Sequence, residues 1–90
     1  MSEELEELRL SIDEEDRQIV AALCRRMELS EKIGELKRQK GLSVYVPERE
    51  NAVLEKVRSL AGENCAEDMT EIYRRIMELS RSRQENYHDN

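Results

Sequence analysis

The sequence is poor in the residues that build metal centres, disulfide frameworks and aromatic cores. It has no Trp or Phe, one Pro, two Cys and a single His. Cys24 and Cys65 lie far apart and neither belongs to a CxxC motif, which argues against both a zinc site and a disulfide framework. We expect both thiols to act as small hydrophobic residues and His88 to be a solvated tail residue. The sequence therefore predicts no metal and no cofactor.

Excess positive charge and long apolar runs are also missing. The net charge is −6, which argues against a general nucleic-acid binder and against binding to anionic membranes. No apolar stretch approaches the ~20 residues of a membrane-spanning helix. The acidic start, residues 1–4, is unlike the basic and then apolar start of a signal peptide. We therefore expect a cytoplasmic chain that binds neither nucleic acid nor membranes.

What the chain does have is one long stretch with helical periodicity, residues 5–40. It contains no Pro, and its only Gly is Gly34. Apolar residues recur at steps of three, four or seven, which is the spacing of one helix face: Leu5, Leu8, Ile12, Ile19, Leu23, Met27 and Ile33. We predict a first helix over about residues 3–40, ended by Gly41 as a C-cap.

The remaining residues predict one loop and two shorter helices. Residues 41–46 form the loop, and Pro47 suits the first turn of a second helix over about residues 47–61. After a break at residues 62–64, a third helix is predicted over about residues 66–87. We expect a single all-α domain spanning residues 1–90.

The length of the first helix predicts a dimer. Such a helix is ~55 Å long, whereas a compact domain of this size is only roughly 30 Å across. The other residues of the same chain are too few to cover the whole apolar face. We therefore predict an intertwined homodimer of three-helix subunits, in which a two-fold axis sets the long helices antiparallel.

Charged residues interrupt the apolar face of the first helix at Asp16, Arg26 and Lys37. Arg26 and Lys37 point within about 20° of one another and lie ~16 Å apart along the axis. Ser30 and Gly34, both small, lie between them, and the set predicts a pocket for a compact anion. Ion pairs across a dimer seam are an equally good interpretation of the two cations. Gly34 is explained either by ligand space or by close helix packing, and Asp16 has no assigned role.

Arg9 lies near the same helix face but far from this pocket. It is ~25 Å from Arg26 and ~42 Å from Lys37 along the helix, so it reaches the same small ligand only from a second chain. In an antiparallel dimer, the site would then be shared between subunits.

The other two helices carry further candidates. Arg49 and Glu50 flank the apolar stripe at the start of the second helix, so both are able to reach a pocket edge. Ser80 and Gln84 lie one turn apart on the third helix, so their side chains are neighbours. Taken singly, each of these residues is equally typical of a solvated helix surface.

In combination, these segments resemble the all-helical chorismate mutases, in their stand-alone single-domain form. No one segment is specific, but the set stands in order and at family-like spacing over nearly the whole chain. The segments are Leu8-Arg9 to Ile12-Asp13, Asp16 with Ile19, Arg26-Met27-Glu28-Leu29, Gly34-Glu35-Leu36-Lys37, Val44-Tyr45-Val46-Pro47-Glu48-Arg49-Glu50, and Glu78-Leu79-Ser80 with Gln84.

The resemblance implies an isomerase that converts chorismate to prephenate in aromatic amino-acid biosynthesis. The reaction is an intramolecular Claisen rearrangement that needs no cofactor, no metal and no covalent intermediate. By matching position, Arg9 of the neighbouring subunit and Arg26 would hold the two carboxylates. Lys37 and Gln84 would donate to the ether oxygen of the breaking bond, where preorganised donors stabilise developing charge.

The resemblance also assigns the other end of the pocket and reveals one departure. Arg49 and Glu50 would lie beside the ring hydroxyl, with Glu50 accepting from it, and Ser80 would line the pocket near a carboxylate. Val46 stands where the family often has Asp, just before the second helix. Since Val is a poor N-cap, we expect the second helix to fray more at this end.

Two alternatives stay open on the sequence. An isochorismate-pyruvate lyase would use much the same cationic pocket on the same fold for a sister substrate. A non-catalytic helical dimerisation module would use Arg26 and Lys37 only as ion-pair partners. The mutase interpretation predicts a large loss of rate when either cation is removed, with folding retained.

Overall fold

The computed structural model describes the backbone of residues 2–89 and the side chains of residues 2–86. It contains three helices: α1 (Ser2–Lys40), α2 (Pro47–Ala61) and α3 (Ala66–Asp89). No strand occurs within these described residues, which confirms the all-α prediction. The prediction for the His88 side chain lies outside the described residues.

Local sequence signals determine where α1 ends and α2 begins. Gly41 has a left-handed φ of 68°, its N–H donates to the Arg38 carbonyl at 3.3 Å, and the Leu42 N–H donates to the Lys37 carbonyl at 2.8 Å. These two bonds form a Schellman motif, in which glycine adopts the left-handed conformation at least cost. Pro47 then occupies the first turn of α2, where its missing N–H costs nothing.

α3 is the central element, because it packs against both α1 and α2. The buried apolar residues are Val57 on α2 and Ala66, Ile76 and Met77 on α3. The buried residues at the contact of α3 with α1 are polar or small: Ser30, Gly34, Ser80 and Gln84. Because these side chains are small or polar, α1 and α3 approach closely there, and space remains between them and α2.

The first half of α1 projects beyond the other two helices. The chain measures 58 × 29 × 14 Å, and its radius of gyration is 16.6 Å, against ~12 Å for a compact domain of this length. On this projecting segment, the apolar residues Leu8, Ile12 and Ile19 are 64%, 59% and 52% exposed. An apolar face of this length on α1 thus remains uncovered by the rest of the described chain.

None of the described helices combines the length and the apolar character that crossing a membrane requires.

Candidate active site

A cavity of about 420 Å³ lies where the three helices and the 41–46 loop face one another. This volume is within the range of small-molecule sites, ~300–1,000 Å³. α1 contributes one long wall, the loop and the first turns of α2 contribute the second, and α3 contributes the third. The polar lining residues are Arg26, Ser30, Lys37, Arg49, Glu50, Ser80, Arg81 and Gln84.

The charge of this cavity is opposite to that of the chain as a whole. Among the described residues, four cationic side chains line it together with the single carboxylate of Glu50, although the net charge of the chain is −6. The rest of the lining is apolar: Leu29, Ile33, Val44, Val46, Val53 and Met77. Such a site suits a small, largely apolar molecule that carries more than one negative charge.

Lys37 ties the loop to α1 and points into the cavity. Its Nζ donates to the Val44 carbonyl oxygen at 2.7 Å. An ammonium group has three N–H donors, so two remain for a ligand. Burial lowers the pKa of Lys37, and the nearby Glu50 carboxylate partly opposes this shift.

Arg26 is held from outside the cavity by an aromatic ring. Its guanidinium carbon lies 5.7 Å from the centroid of the Tyr73 ring, a cation–π distance.

The Ser30 hydroxyl donates to the Arg26 carbonyl at 3.0 Å and also contacts the Ser80 hydroxyl. Since each hydroxyl has one hydrogen, Ser80 is the donor in the contact between the two serines.

Gln84 carries a buried side-chain oxygen that has no hydrogen-bond partner in the described structure. The residue is 7% exposed, and the unpaired atom is Oε1. An unpaired buried acceptor costs about 1–3 kcal/mol. The side-chain amide can present either its oxygen or its NH₂ group when it turns over, so Gln84 is able to donate to a ligand.

Arg9, Gly34 and Asp16 lie outside this cavity. Arg9 is 62% exposed on the projecting end of α1, where it pairs with Glu6 at 3.0 Å. Gly34 is buried against α3 instead of lining the cavity, so close helix packing accounts for it and ligand space does not. Asp16 is exposed, and nothing in the structure explains its place on the apolar face.

Arg81 is the charged lining residue that the sequence did not predict. It forms an ion pair with Glu50, and its guanidinium lies 4.9 Å from the Tyr45 ring centroid. Its position three residues before Gln84 is the signal in the sequence, because residues at this spacing are neighbours on a helix surface.

The sequence matches a known family over the whole of this arrangement. Residues 8–85 match the sequence model of the family described as chorismate mutase type II. The chain belongs to that family. This confirms the resemblance inferred from the sequence.

Individual relatives agree with this assignment. The chain is 40% identical over 80 residues to a bifunctional chorismate mutase/prephenate dehydratase of Aquifex aeolicus and 38% identical over 81 residues to a T-protein of Haemophilus influenzae. These matches cover 83% and 87% of this chain but only 22% and 21% of those longer proteins. A chorismate mutase of Methanocaldococcus jannaschii is 30% identical over 89 residues, which are 97% of this chain and 90% of that protein. No solved structure gives a significant match.

Proposed function

We propose that this chain is a chorismate mutase, which converts chorismate to prephenate by an intramolecular Claisen rearrangement. The observation that carries the proposal is the cavity itself, in which four cations and an unpartnered amide oxygen surround an apolar space. Chorismate has two carboxylates, a ring, an ether oxygen and a ring hydroxyl. Each of these groups except one carboxylate is assigned a chemically suitable partner in the lining.

Binding of the two carboxylates requires two cationic positions. Arg26 supplies one, and its stacking on Tyr73 limits its conformations before the ligand arrives. Arg9 of the partner subunit supplies the other. The apolar residues of the lining pack against the ring and clamp the flexible enolpyruvyl arm over it. Binding therefore supplies part of the entropy cost of bringing the arm into the reactive orientation.

The chemical step breaks the ether C–O bond and forms a C–C bond within one molecule. No proton, electron or group enters or leaves, so the protein needs only to favour the compact, polarised transition state. Negative charge grows on the ether oxygen, and Lys37 and the Gln84 amide both donate to it. Because Lys37 is already held by the Val44 carbonyl in a partly dry site, its donation stabilises the transition state more than the ground state.

The ring hydroxyl lies at the α2 end of the cavity in this proposal. Glu50 accepts its hydrogen bond, with Arg49 beside it. Ser80 lies near a carboxylate at the α3 wall, and its hydroxyl turns from Ser30 towards the ligand.

A homodimer completes the site. Support comes from the exposed apolar residues on the projecting half of α1, since an apolar face of this extent marks an association surface. In this dimer, two antiparallel α1 helices cross near Val20. The two-fold axis pairs residues that are equally far from the crossing on the two copies, so Arg9 of one copy lies opposite Glu31 of the other. Glu31 lies between Arg26 and Lys37 along α1.

The test of this function is product identification. Purified protein is incubated with chorismate and, separately, with isochorismate, and products are identified by proton NMR while ultraviolet absorbance follows substrate loss. We expect prephenate from chorismate and no salicylate or pyruvate from isochorismate. Salicylate and pyruvate without prephenate would assign the lyase activity instead. No turnover of either substrate by folded protein would leave a non-catalytic helical dimerisation module.

A further inference from the structure

Arg81 joins the loop, α2 and α3 through one side chain. Its Nη1 donates to Glu50 Oε2, and its guanidinium lies over the Tyr45 ring. Tyr45 belongs to the loop, Glu50 to the first turn of α2, and Arg81 to α3. The three residues therefore fix the α2 end of the cavity relative to α3.

The ion pair between Arg81 and Glu50 is more shielded than the other ion pairs of the described residues. The two side chains are 30% and 22% exposed, whereas those of the Arg83–Glu31 pair, which joins α3 to α1, are 51% and 36% exposed. Glu50 and Arg81 line both the main cavity and a shallow groove beside Tyr45 on the outer surface. Together with Met77, which also lines both, the pair separates the cavity from that groove.

The pair also determines what Glu50 is able to do. Arg81 occupies one carboxylate oxygen, Oε2, and leaves Oε1 as an acceptor. A guanidinium carries donors and no acceptor, so in this pair Arg81 donates and the Glu50 carboxylate accepts. Lys37 is a second cation that attracts Glu50, and the direct contact with Arg81 holds the carboxylate against α3.

We propose that Arg81 is a positioning residue, which holds the Glu50 carboxylate so that its free oxygen accepts the ring hydroxyl of the substrate. This inference rests on the proposed function. Arg81 then acts through Glu50, and not as a further cation that binds a substrate carboxylate. Tyr45 limits the movement of the guanidinium and so contributes to the same positioning.

The test is a double-mutant cycle measured on chorismate. Arg81→Met should raise KM about tenfold and change kcat less, because the hydroxyl contact is present in the ground state as well as in the transition state. In a Glu50→Gln background, Arg81→Met should change KM by less than about twofold, since the residue through which it acts is already altered. Arg81→Lys should give an intermediate KM, as it keeps the charge and loses the planar fork.

The matched control is Arg58→Met, which removes the Arg58–Glu67 ion pair, because this pair also joins α2 to α3 but lies outside the cavity. We expect it to leave KM unchanged. Thermal unfolding is measured for every variant, and prephenate binding is measured by calorimetry, so that a slow variant still yields an affinity. An Arg81→Met effect of equal size in the unmodified and the Glu50→Gln backgrounds would overturn the proposal. Absence of prephenate formation by the unmodified chain would instead overturn the proposed function, so the two failures are distinguishable.

Discussion

Gly34 on α1 lies directly against the backbone of Gln84 on α3. A Cβ atom placed on Gly34 would lie 2.8 Å from the Gln84 Cα, 3.0 Å from its carbonyl oxygen and 3.1 Å from its Cβ. These are backbone atoms or atoms next to the backbone, so no flexible side chain can move aside. The close approach of α1 and α3 therefore depends on glycine, and the same contact sets the position of Gln84 in the cavity.

Gly34→Ala tests this relationship. Alanine favours a helix by about 1 kcal/mol over glycine, but overpacking of a close contact costs about 1–3 kcal/mol. We expect a lower Tm and a kcat reduced about tenfold, because a small displacement of a donor weakens transition-state stabilisation. The control is Lys32→Ala at an exposed position of α1. A higher Tm with unchanged kcat would show that helix propensity decides at residue 34.

Lys37→Ala tests the assignment of a donor to the ether oxygen. Loss of one preorganised donor of this kind lowers kcat by about 10²–10³-fold. Since the contact strengthens in the transition state, KM should rise much less than kcat falls. Circular dichroism checks that the helices are retained. A variant with a raised KM and an unchanged kcat would make Lys37 a ground-state binding residue only.

The lowered pKa of Lys37 predicts an alkaline limit to activity. As pH rises, kcat/KM should fall through a pKa below the 10.5 of an ordinary lysine, since only the charged ammonium donates effectively. The corresponding alkaline decrease in kcat should occur at higher pH, because the negative charge of the bound substrate favours the protonated form of Lys37. Lys37→Arg should remove the limb within the range where the protein is folded. Identical alkaline limbs in both proteins would contradict the assignment.

The same lowered pKa fixes the sign of a stability effect. Between the folded pKa of Lys37 and 10.5, the unfolded chain binds more protons at this residue than the folded chain does. The contribution of Lys37 to the free energy of unfolding therefore increases as pH rises through that window. The difference in unfolding free energy between the unmodified chain and Lys37→Met measures it.

Val46→Asp tests the N-terminus of α2. Val46 is the N-cap, with φ −128° and ψ 93°, and its side chain makes no capping hydrogen bond. An Asp side chain at this position is able to accept from the first N–H groups of the helix, which is worth ~1 kcal/mol. We expect a higher Tm and a lower KM, because residue 46 also lines the cavity. Val46→Asn separates the effect of capping from the effect of the added charge. If Val46→Asp neither raises Tm nor lowers KM, the prediction is contradicted.

Local chemistry explains why the helices could be predicted from the sequence. Gly41, Pro47 and Gly62 mark the element boundaries through backbone conformations and missing donors, which depend on a few neighbouring residues only. Arg26, Ser30 and Lys37 share one side of α1 because helical spacing places them there, and all three line the cavity.

Relationships between helices could not be predicted in the same way. The contact of Arg81 with Glu50 depends on how α2 and α3 are rotated about their own axes, which spacing within one helix does not reveal. The two explanations of Gly34 likewise differ only in what lies opposite it on another helix. Periodicity identified the apolar face of α1, but half of that face is exposed in one chain. The periodicity of one helix does not reveal what packs against that face.

Subunit mixing tests the central claim, that chorismate is rearranged at a site completed by Arg9 of the partner subunit. Arg9→Ala and Lys37→Ala proteins are purified separately, partially unfolded together, refolded, and assayed for prephenate. Each alone should be nearly inactive, while a mixed dimer holds one site with both residues intact. With random pairing, about a quarter of all sites are intact, so activity should recover to about a quarter of that of the unmodified protein. Two inactive variants that stay inactive after verified subunit exchange would contradict the claim.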